Sequence, residues 1–308
     1  MTWTVRSLAQ QTGRTFVVSG GNSGIGREAA RELVDRGAHV VLACRDLARG
    51  ERARASIAGH GSGRASVLRL DLTDLDSVAA FADELAQREP ALSGLVCNAG
   101  VMGGPFALTA QGYERQMGTN HLGHAALVAA LWPRLVEAAG RVVIVSSIAA
   151  RGGDLSAAST VDDLVAPAPY VPMPVYARSK QANLLFAGEL HRRAAAAGSP
   201  VSVVAAHPGV SATNLFMRQL REQGRGWLVP LAGPALRLAA QSATAGALST
   251  LRALDHSTPS GAFVGPARLG QWRGRPELLG VYPSASDPAV GARLWDLTEQ
   301  LLGVAAPV

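Results

Sequence analysis

The sequence predicts an α/β fold in which helices cover both faces of a doubly wound, mostly parallel sheet of about seven strands. Three observations support this prediction. The chain of 308 residues is 48% hydrophobic and can bury a substantial core. Short apolar runs alternate with longer amphipathic segments, and the first run leads through a glycine-rich turn into such a segment. Residues 1–308 are predicted to form a single domain, because no linker or internal repeat divides the chain.

The alternating segments define the predicted elements one by one. Strand, helix, strand repetition implies right-handed crossovers, which make the strands parallel. We expect strands at Thr15–Ser19, His39–Ala43, Ser66–Leu70, Gly94–Cys97, Arg141–Ser146, Val201–Ala206 and Ala262–Val264. We expect helices at Gly24–Arg36, Leu47–Ala58, Leu75–Gln87, Tyr113–Glu137, Val175–Ala197 and Ala289–Leu302.

Two stretches interrupt this alternation. Residues 151–175 are rich in glycine, alanine, serine and proline, which predicts a loop inserted at the active site, ahead of the helix that contains Tyr176. Loops of this length are usually functional or disordered. Residues 214–238 mix large apolar side chains with arginine and glycine. They could cover the substrate at the carboxyl edge of the sheet, or form an ordinary helical hairpin.

Composition and charge argue against several classes of protein. The net charge of +6 could indicate nucleic-acid binding, but arginines alternate with acidic residues, as on solvated helix faces. No apolar stretch approaches the about 20 residues of a membrane span. Residues 1–14 lack the apolar core of a secretory signal. We therefore expect a cytoplasmic protein with no nucleic-acid partner and no membrane span.

Cysteine and histidine give little support for a metal site. Cys44 and Cys97 end apolar runs and are expected to be buried and reduced. His121 and His124 have a helical spacing, but no carboxylate or cysteine cluster accompanies them. A packing or hydrogen-bonding role is therefore favoured over a metal site.

Lys180 is the only lysine among 29 basic side chains. In a chain that otherwise uses arginine, this indicates a position that needs a compact ammonium rather than a planar guanidinium. Tyr176 lies four residues earlier, so the two side chains share one face of a predicted helix. An ammonium beside a phenol favours the phenolate and lowers the pKa of the tyrosine. The pair indicates a shared functional site, although this spacing is a weak pattern by itself and chance is the alternative.

A glycine-rich turn follows the first predicted strand directly. Backbone without side chains can approach a pyrophosphate, while the next helix offers unpaired N–H groups and the positive end of its dipole. Because this turn lies between a buried strand and an amphipathic helix, it predicts a dinucleotide site. The turn consists of Ser19-Gly20-Gly21-Asn22-Ser23-Gly24-Ile25-Gly26.

The choice between the two nicotinamide dinucleotides depends on the end of the second strand. An acidic residue there would hold a ribose diol, whereas an arginine accommodates a 2′-phosphate. Arg45 therefore favours NADP(H) over NAD(H). Asp46 could reach the ribose, but it also precedes a predicted helix, and we favour a role as its N-cap.

These motifs resemble those of the short-chain dehydrogenases/reductases over about residues 13–213. Ser19 replaces the usual threonine and Gly21 the usual alanine. The stretches Ala43-Cys44-Arg45-Asp46 and Asn120-His121-Leu122-Gly123-His124 are similar to the retinol-dehydrogenase-like branch. The other markers are Asp71-Leu72, Asn98-Ala99-Gly100, Ser146-Ser147, Tyr176-Ala177-Arg178-Ser179-Lys180 and Pro208-Gly209 with Thr213.

The resemblance implies a Rossmann fold with a bound nicotinamide dinucleotide. The implied cofactor-binding residues are Gly20, Asn22, Ser23, Gly24, Ile25, Gly26 and Arg45, then Asp71 and Leu72 at the adenine, Asn98, Ala99 and Gly100 beneath the cofactor, Pro208, Gly209 and Thr213 at the carboxamide, and Tyr176 and Lys180.

The resemblance also implies hydride transfer between nicotinamide and a carbonyl or alcohol, with Tyr176 as the general acid in reduction. Lys180 would lower the pKa of Tyr176 and hydrogen-bond the nicotinamide ribose. Ser147 would orient the substrate oxygen. Ser146 is the alternative, because the interval from Ser147 to Tyr176 is longer than in most members. Asn120 would fix a water that relays the proton through Lys180.

We therefore expect an NADP(H)-dependent oxidoreductase that acts on a carbonyl or alcohol of an apolar small molecule. The family resemblance implies a homodimer or homotetramer. The alternative is a non-catalytic nicotinamide-binding sensor or scaffold. Such a protein would need the glycine-rich turn, but not Asn120, Ser147, Tyr176 and Lys180 together.

Overall fold

The computed structural model describes residues 3–59, 61–210 and 241–303. Within these ranges, one eight-stranded sheet runs through the molecule in the order β3-β2-β1-β4-β5-β6-β7-β8. Thr213 and the predicted substrate-covering segment 214–238 lie outside the described residues. The strands are β1 Thr15–Ser19, β2 His39–Cys44, β3 Arg64–Arg69, β4 Gly94–Cys97, β5 Arg141–Val145, β6 Ser202–Ala206, β7 Phe263–Arg268 and β8 Arg273–Leu279.

The doubly wound α/β fold predicted from the sequence is confirmed, but the strand count is eight rather than seven. Strands β1 to β7 pair in parallel, and β8 pairs with β7 in the antiparallel direction. Strand β8 was not predicted, because its sequence contains Gly274 and Pro276, which are both unusual in strands. Its exposed residues also outnumber its buried ones, so it has no apolar run. Proline is tolerated there because β8 lies at the sheet edge.

Helices cover both faces of the sheet. On β1, Val17 packs into one hydrophobic layer and Val18 into the other, and both are fully buried. Strands buried on both faces appear in the sequence as continuous apolar runs. The helices are α1 Gly24–Asp35, α2 Leu47–Ile57, α3 Leu75–Arg88, α4 Arg115–Met117, α5 Gly123–Glu137, α6 Val161–Val165, α7 Pro172–Ala196, α8 Ala243–Leu254 and α9 Pro288–Leu302.

The helix predicted at Tyr113–Glu137 differs in detail. It begins at Arg115, because the Glu114 carboxylate accepts the backbone N–H groups of Gln116 and Met117 and caps the first turn. A π-helical turn, Gly118–Leu122, separates α4 from α5. Such turns are rare and frequently occur at functional sites.

The predicted loop at residues 151–175 is partly helical. A 3-10 turn occupies Ile148–Gly152, and α6 follows within the loop. Thr160 and Asp163 form a capping box that starts α6. Helix α7 begins at Pro172 rather than Val175, because proline lacks an N–H and suits the first turn of a helix.

The chain order of the strands reverses between β1 and β4. Ligands of doubly wound folds bind in the crevice beyond the carboxyl ends of the strands at this reversal. Ser19 ends β1 and Cys97 ends β4. The residues that follow these two strands are therefore placed at the crevice.

None of the helices in the described part of the chain is long and apolar enough to cross a membrane.

Candidate active site

The glycine-rich turn forms one wall of the crevice. Gly20 has a φ of 66° and Gly24 a φ of 54°, which are conformations that favour glycine. A Cβ atom at Gly26 would lie 2.5 Å from Asn98 Nδ2 and 2.6 Å from the Gly20 carbonyl oxygen. The start of α1 and the loop after β4 therefore approach each other so closely that only glycine fits at Gly26.

We expect Gly26→Ala to weaken the binding of a dinucleotide by at least about tenfold, because the added methyl group must displace Asn98 or the turn. The matched control is Gly188→Ala on α7, where nothing lies within 4 Å of the added atom. Titration of both variants with NADPH, followed by tryptophan fluorescence, checks this. Equal affinities in the two variants would contradict the tight approach at Gly26.

The Ser19 hydroxyl organises the floor of the crevice. Ser19 Oγ accepts the backbone N–H of Asn98 at 2.9 Å and that of Ala99 at 3.0 Å. The Asn98 side-chain amide in turn donates to the Ser19 carbonyl at 2.9 Å. The ends of β1 and β4 are thus joined by a polar network.

The opposite end of the crevice contains Arg45 and Asp71. Arg45 Nε lies 3.9 Å from Asp71 Oδ2, and the Arg45 side chain is 63% exposed. The Asp71 carboxylate also accepts from the Thr73 hydroxyl at 2.7 Å and from its backbone N–H at 3.0 Å. Leu72, the other residue expected at the adenine, is buried.

Asp46 is the N-cap of α2, and its carboxylate accepts the backbone N–H of Arg49 at 2.9 Å. This geometry agrees with the capping role that the sequence favoured. Arg45 lies in the loop after β2 and takes no part in this cap.

A cavity of about 400 Å³ lies at the carboxyl ends of β5 and β6. Ser147, Tyr176 and Lys180 all line it. The Ser147 hydroxyl hydrogen-bonds the Tyr176 phenol, which joins the loop after β5 to α7. Three of the predicted catalytic side chains, one from the loop after β5 and two from α7, therefore meet at one cavity.

Ser146 and Ser147 differ in the hydrogen bonds that their hydroxyl groups make. Both serines border the cavity, but the Ser146 hydroxyl donates to the Lys180 carbonyl at 2.6 Å and is buried. The Ser147 oxygen accepts the backbone N–H of Ala149 at 3.2 Å, and its hydroxyl bonds the Tyr176 phenol rather than a backbone carbonyl. The long interval from Ser147 to Tyr176 does not prevent contact, because the turn at Ile148–Gly152 and α6 fold within it.

The pKa of Tyr176 differs from the sequence-based expectation. Burial raises it, and the hydrogen bond from Ser147 lowers it only in part. The Tyr176 side chain is almost completely enclosed, at 6% exposure, and burial disfavours the phenolate. Desolvation of the phenol is the largest effect, so the net shift of this pKa is upward, opposite to the lowering that the sequence predicted.

Lys180 is itself buried, and burial lowers its pKa to about 8, with Cys97 as a smaller opposing influence. Its Nζ donates to the Val145 carbonyl at 3.1 Å. Nζ also lies 3.5 Å from the position that a Cβ would take at Gly100. The ammonium is therefore held between the end of β5 and the loop after β4.

Asn120 lies in the π-helical turn and is fully buried. Its Oδ1 accepts the Val101 N–H at 2.8 Å, and its Nδ2 donates to the Val101 carbonyl and the Ser179 hydroxyl, each at 2.9 Å. Because both amide hydrogens are used, Asn120 can offer a water molecule only its acceptor oxygens.

The far wall of the cavity contains residues that sequence reasoning missed. Trp272 lines the cavity from the turn between β7 and β8, and its carbonyl accepts the Val210 N–H at 2.8 Å. Gly209 has a φ of 70°, and a Cβ there would lie 2.5 Å from the same carbonyl. Pro208 and Gly209 therefore meet the hairpin that the sequence did not reveal. Trp272 is followed by Arg273, Gly274 and Arg275, and this run carries no apolar pattern from which the hairpin could have been predicted.

The residues present fit a nicotinamide dinucleotide. Gly20 and Gly26 form a cradle that a Cβ would fill, and α1 begins beside it. No group of three or more His, Cys, Asp or Glu side chains in the described ranges could hold a metal. Cys44 and Cys97 are buried free thiols, as predicted. The fold and this site define a protein built to bind a dinucleotide at the switch point of a doubly wound sheet.

Comparisons with known proteins specify the family. The family model of the short-chain dehydrogenases matches residues 14–159. Retinol dehydrogenase 14 of Mus musculus is 36% identical over 95% of this chain and 86% of its own length. Retinol dehydrogenase 12 of Homo sapiens is 36% identical over 97% and 89%. The chain belongs to the short-chain dehydrogenase/reductase family, in its retinol-dehydrogenase-like branch, and is thus an oxidoreductase with a nicotinamide cofactor.

Solved structures agree with this assignment. An uncharacterized protein from Mycobacterium paratuberculosis is 40% identical, with a TM-score of 0.81 and complete coverage of both chains. A short-chain dehydrogenase from Sphingobium yanoikuyae, solved in complex with NADPH, is 26% identical, with a TM-score of 0.54 over 67% of this chain and 74% of that one.

Proposed function

We propose that this protein is an NADP(H)-dependent oxidoreductase that interconverts a carbonyl and an alcohol of an apolar small molecule. The observation that carries this proposal is the convergence of Ser147, Tyr176 and Lys180 on one cavity beside the glycine-rich turn. A sensor or scaffold would have no use for a phenol, a hydroxyl and a buried ammonium arranged in this way.

In the proposed mechanism, bound nicotinamide supplies or accepts the hydride. Tyr176 donates its phenolic proton to the substrate oxygen in reduction and accepts it in oxidation. Ser147 holds that oxygen beside the phenol. Lys180 returns a proton to Tyr176, and its pKa of about 8 suits proton exchange near neutral pH. Asn120 offers an acceptor oxygen to a water on the route from Lys180 to solvent.

An apolar substrate suits the lining of the cavity. Met102, Ile148, Met173 and Trp272 contribute apolar surface, and Lys180 is the only charged side chain among the described residues that line it. Unpaired charges or polar groups on a ligand would lose their hydration there without gaining partners. The names of the mammalian relatives, retinol dehydrogenases, point to the same chemical class.

The assay that tests this function follows the loss of NADPH fluorescence with two aldehydes, all-trans-retinal and decanal, and with a charged carbonyl, pyruvate. We expect turnover of at least one apolar aldehyde and none of pyruvate. NADPH binding without turnover of either aldehyde would instead favour the sensor or scaffold.

Arg45 supports NADP(H) over NAD(H), because it follows β2 at the position that contacts a 2′-phosphate in dinucleotide sites. The Sphingobium yanoikuyae relative was solved with NADPH, which agrees with this choice. We expect Arg45→Ala to raise the Kd for NADPH about tenfold and to leave that for NADH within about twofold, since one charge-assisted hydrogen bond is lost.

Arg49→Ala is the matched control for Arg45→Ala. Arg49 is 68% exposed and lies 3.6 Å from the N-cap Asp46, so its loss should change neither Kd. Parallel titrations of wild type and both variants with each dinucleotide make the comparison. Tighter NADH binding in the wild type would overturn the NADP(H) assignment and favour Asp46 as the ribose contact.

A further inference from the structure

His124 connects the glycine-rich turn to the π-helical turn. Its ring is 2% exposed and both ring nitrogens are engaged. Nδ1 lies 3.0 Å from the Asn120 carbonyl oxygen, and Nε2 lies 2.8 Å from Ser19 Oγ. Because a carbonyl oxygen can only accept, Nδ1 carries the proton, and Nε2 must accept from the Ser19 hydroxyl.

The bonds around Ser19 leave its proton for His124. Two backbone N–H groups, from Asn98 and Ala99, already donate to Ser19 Oγ. The hydroxyl has one hydrogen, and the alternative acceptor, the Val96 carbonyl, lies 3.2 Å away, farther than His124 Nε2. His124 therefore orients the Ser19 hydroxyl by accepting its proton. This leaves the two lone pairs of Ser19 Oγ for the backbone N–H groups of Asn98 and Ala99.

The other side of the imidazole reaches the proton-handling side chains. Asn120 is held by His124 through its carbonyl and by Val101 and Ser179 through its amide. A Cβ at Gly100 would lie 3.1 Å from Asn120 Oδ1 and 3.5 Å from Lys180 Nζ, so the two groups are neighbours. A shift of the π-helical turn would move Asn120 relative to Lys180.

We propose that His124 is a positioning residue that holds the cofactor turn through Ser19 and the proton-handling end of the site through Asn120. The inference rests on the proposed function, because it assigns His124 to the same site. Burial is the main reason that the pKa of His124 is lowered to about 4, so the ring is neutral at working pH and keeps one donor and one acceptor.

Two substitutions separate the two sides of the ring. His124→Asn places an amide nitrogen where Nδ1 lies and loses the bond to Ser19. His124→Gln reaches the position of Nε2 and loses the bond to Asn120. We expect His124→Asn to raise the Kd for NADPH about tenfold, and His124→Gln to lower kcat about tenfold with little change in that Kd, because each loses one buried hydrogen bond.

A double-mutant cycle tests the link to Ser19. In a Ser19→Ala background, His124→Asn should cause no further loss of NADPH affinity, since the bond is already absent. His191→Asn is the matched control. His191 lies on α7 and its Nδ1 bonds Ser260 Oγ at 2.9 Å, outside both turns. This variant should change neither Kd nor kcat.

Nitrogen-15 NMR of the imidazole groups provides a readout that needs no substrate. His124, assigned by the signals lost in His124→Gln, should carry a proton on Nδ1 and none on Nε2 at neutral pH. An imidazolium, a proton on Nε2, or equal changes in Kd and kcat in both variants would overturn the proposal. If the wild-type protein binds NADPH but reduces no aldehyde, the proposed function fails. The NMR result and the NADPH-binding cycle would still test whether His124 holds Ser19, because neither needs a substrate.

Discussion

Tyr176→Phe is expected to lower kcat for aldehyde reduction by about a thousandfold or more while the Kd for NADPH stays within about twofold of wild type. General acid catalysis contributes on the order of a hundredfold to ten-thousandfold, and this variant removes the proton donor. Phenylalanine has nearly the same shape, so the enclosed ring retains its packing. Single-turnover reduction of the best aldehyde under excess NADPH measures the effect on chemistry directly.

Tyr113→Phe is the control for this experiment. Tyr113 also carries a phenolic hydroxyl, but it donates to the Leu301 carbonyl at the end of α9, away from the cavity. It should lose some stability and retain the wild-type kcat. Unchanged turnover in Tyr176→Phe would remove Tyr176 from the mechanism and leave Ser147 as the candidate proton donor.

Lys180→Arg is expected to lose most turnover, although it conserves the charge. The ammonium is buried and donates to the Val145 carbonyl beside Gly100, so we expect the larger, planar guanidinium to displace its neighbours. Overpacking of this kind costs about 1–3 kcal/mol of stability. The measurement is kcat for the best aldehyde, together with the Tm of each variant.

Arg192→Lys on the same helix provides the reverse exchange as a control. The Arg192 side chain is 55% exposed and pairs with Glu189, so lysine can replace it with no expected effect on kcat. Wild-type activity in Lys180→Arg would mean that the single lysine of this chain is an accident of composition.

The lowered pKa of Lys180 also has a consequence for stability. The folded-state value is about 8, against about 10.4 in an unfolded chain. Between these values the unfolded state binds more protons, so the free energy of unfolding contributed by this residue rises with pH. The contribution is largest above about pH 10.4 and is lost as the pH falls to about 8. Denaturant unfolding of wild type and Lys180→Met across this window should differ in slope.

The local sequence was sufficient to predict most strands and helices, and to select the candidate site residues in the turns and helices that follow the strands. Short apolar runs predicted seven of the strands, and the turn from Ser19 to Gly26 predicted a dinucleotide cradle. Tyr176 and Lys180 share a helical face because they are four residues apart, which any α-helix guarantees. These features depend on neighbours in the chain, so they are visible without the fold.

Contacts between distant segments required the tertiary structure. Only the fold brings Ser147 to Tyr176 and His124 to Ser19, and only burial shows that the pKa of Tyr176 is raised rather than lowered. Strand β8 exists because β7 offers it an edge, although Gly274 and Pro276 argue against a strand locally. The sequence by itself thus determined the fold class, the family and the candidate residues. Their partners, protonation and enclosure were decided by packing, because hydrogen bonding and desolvation depend on side chains far away along the chain.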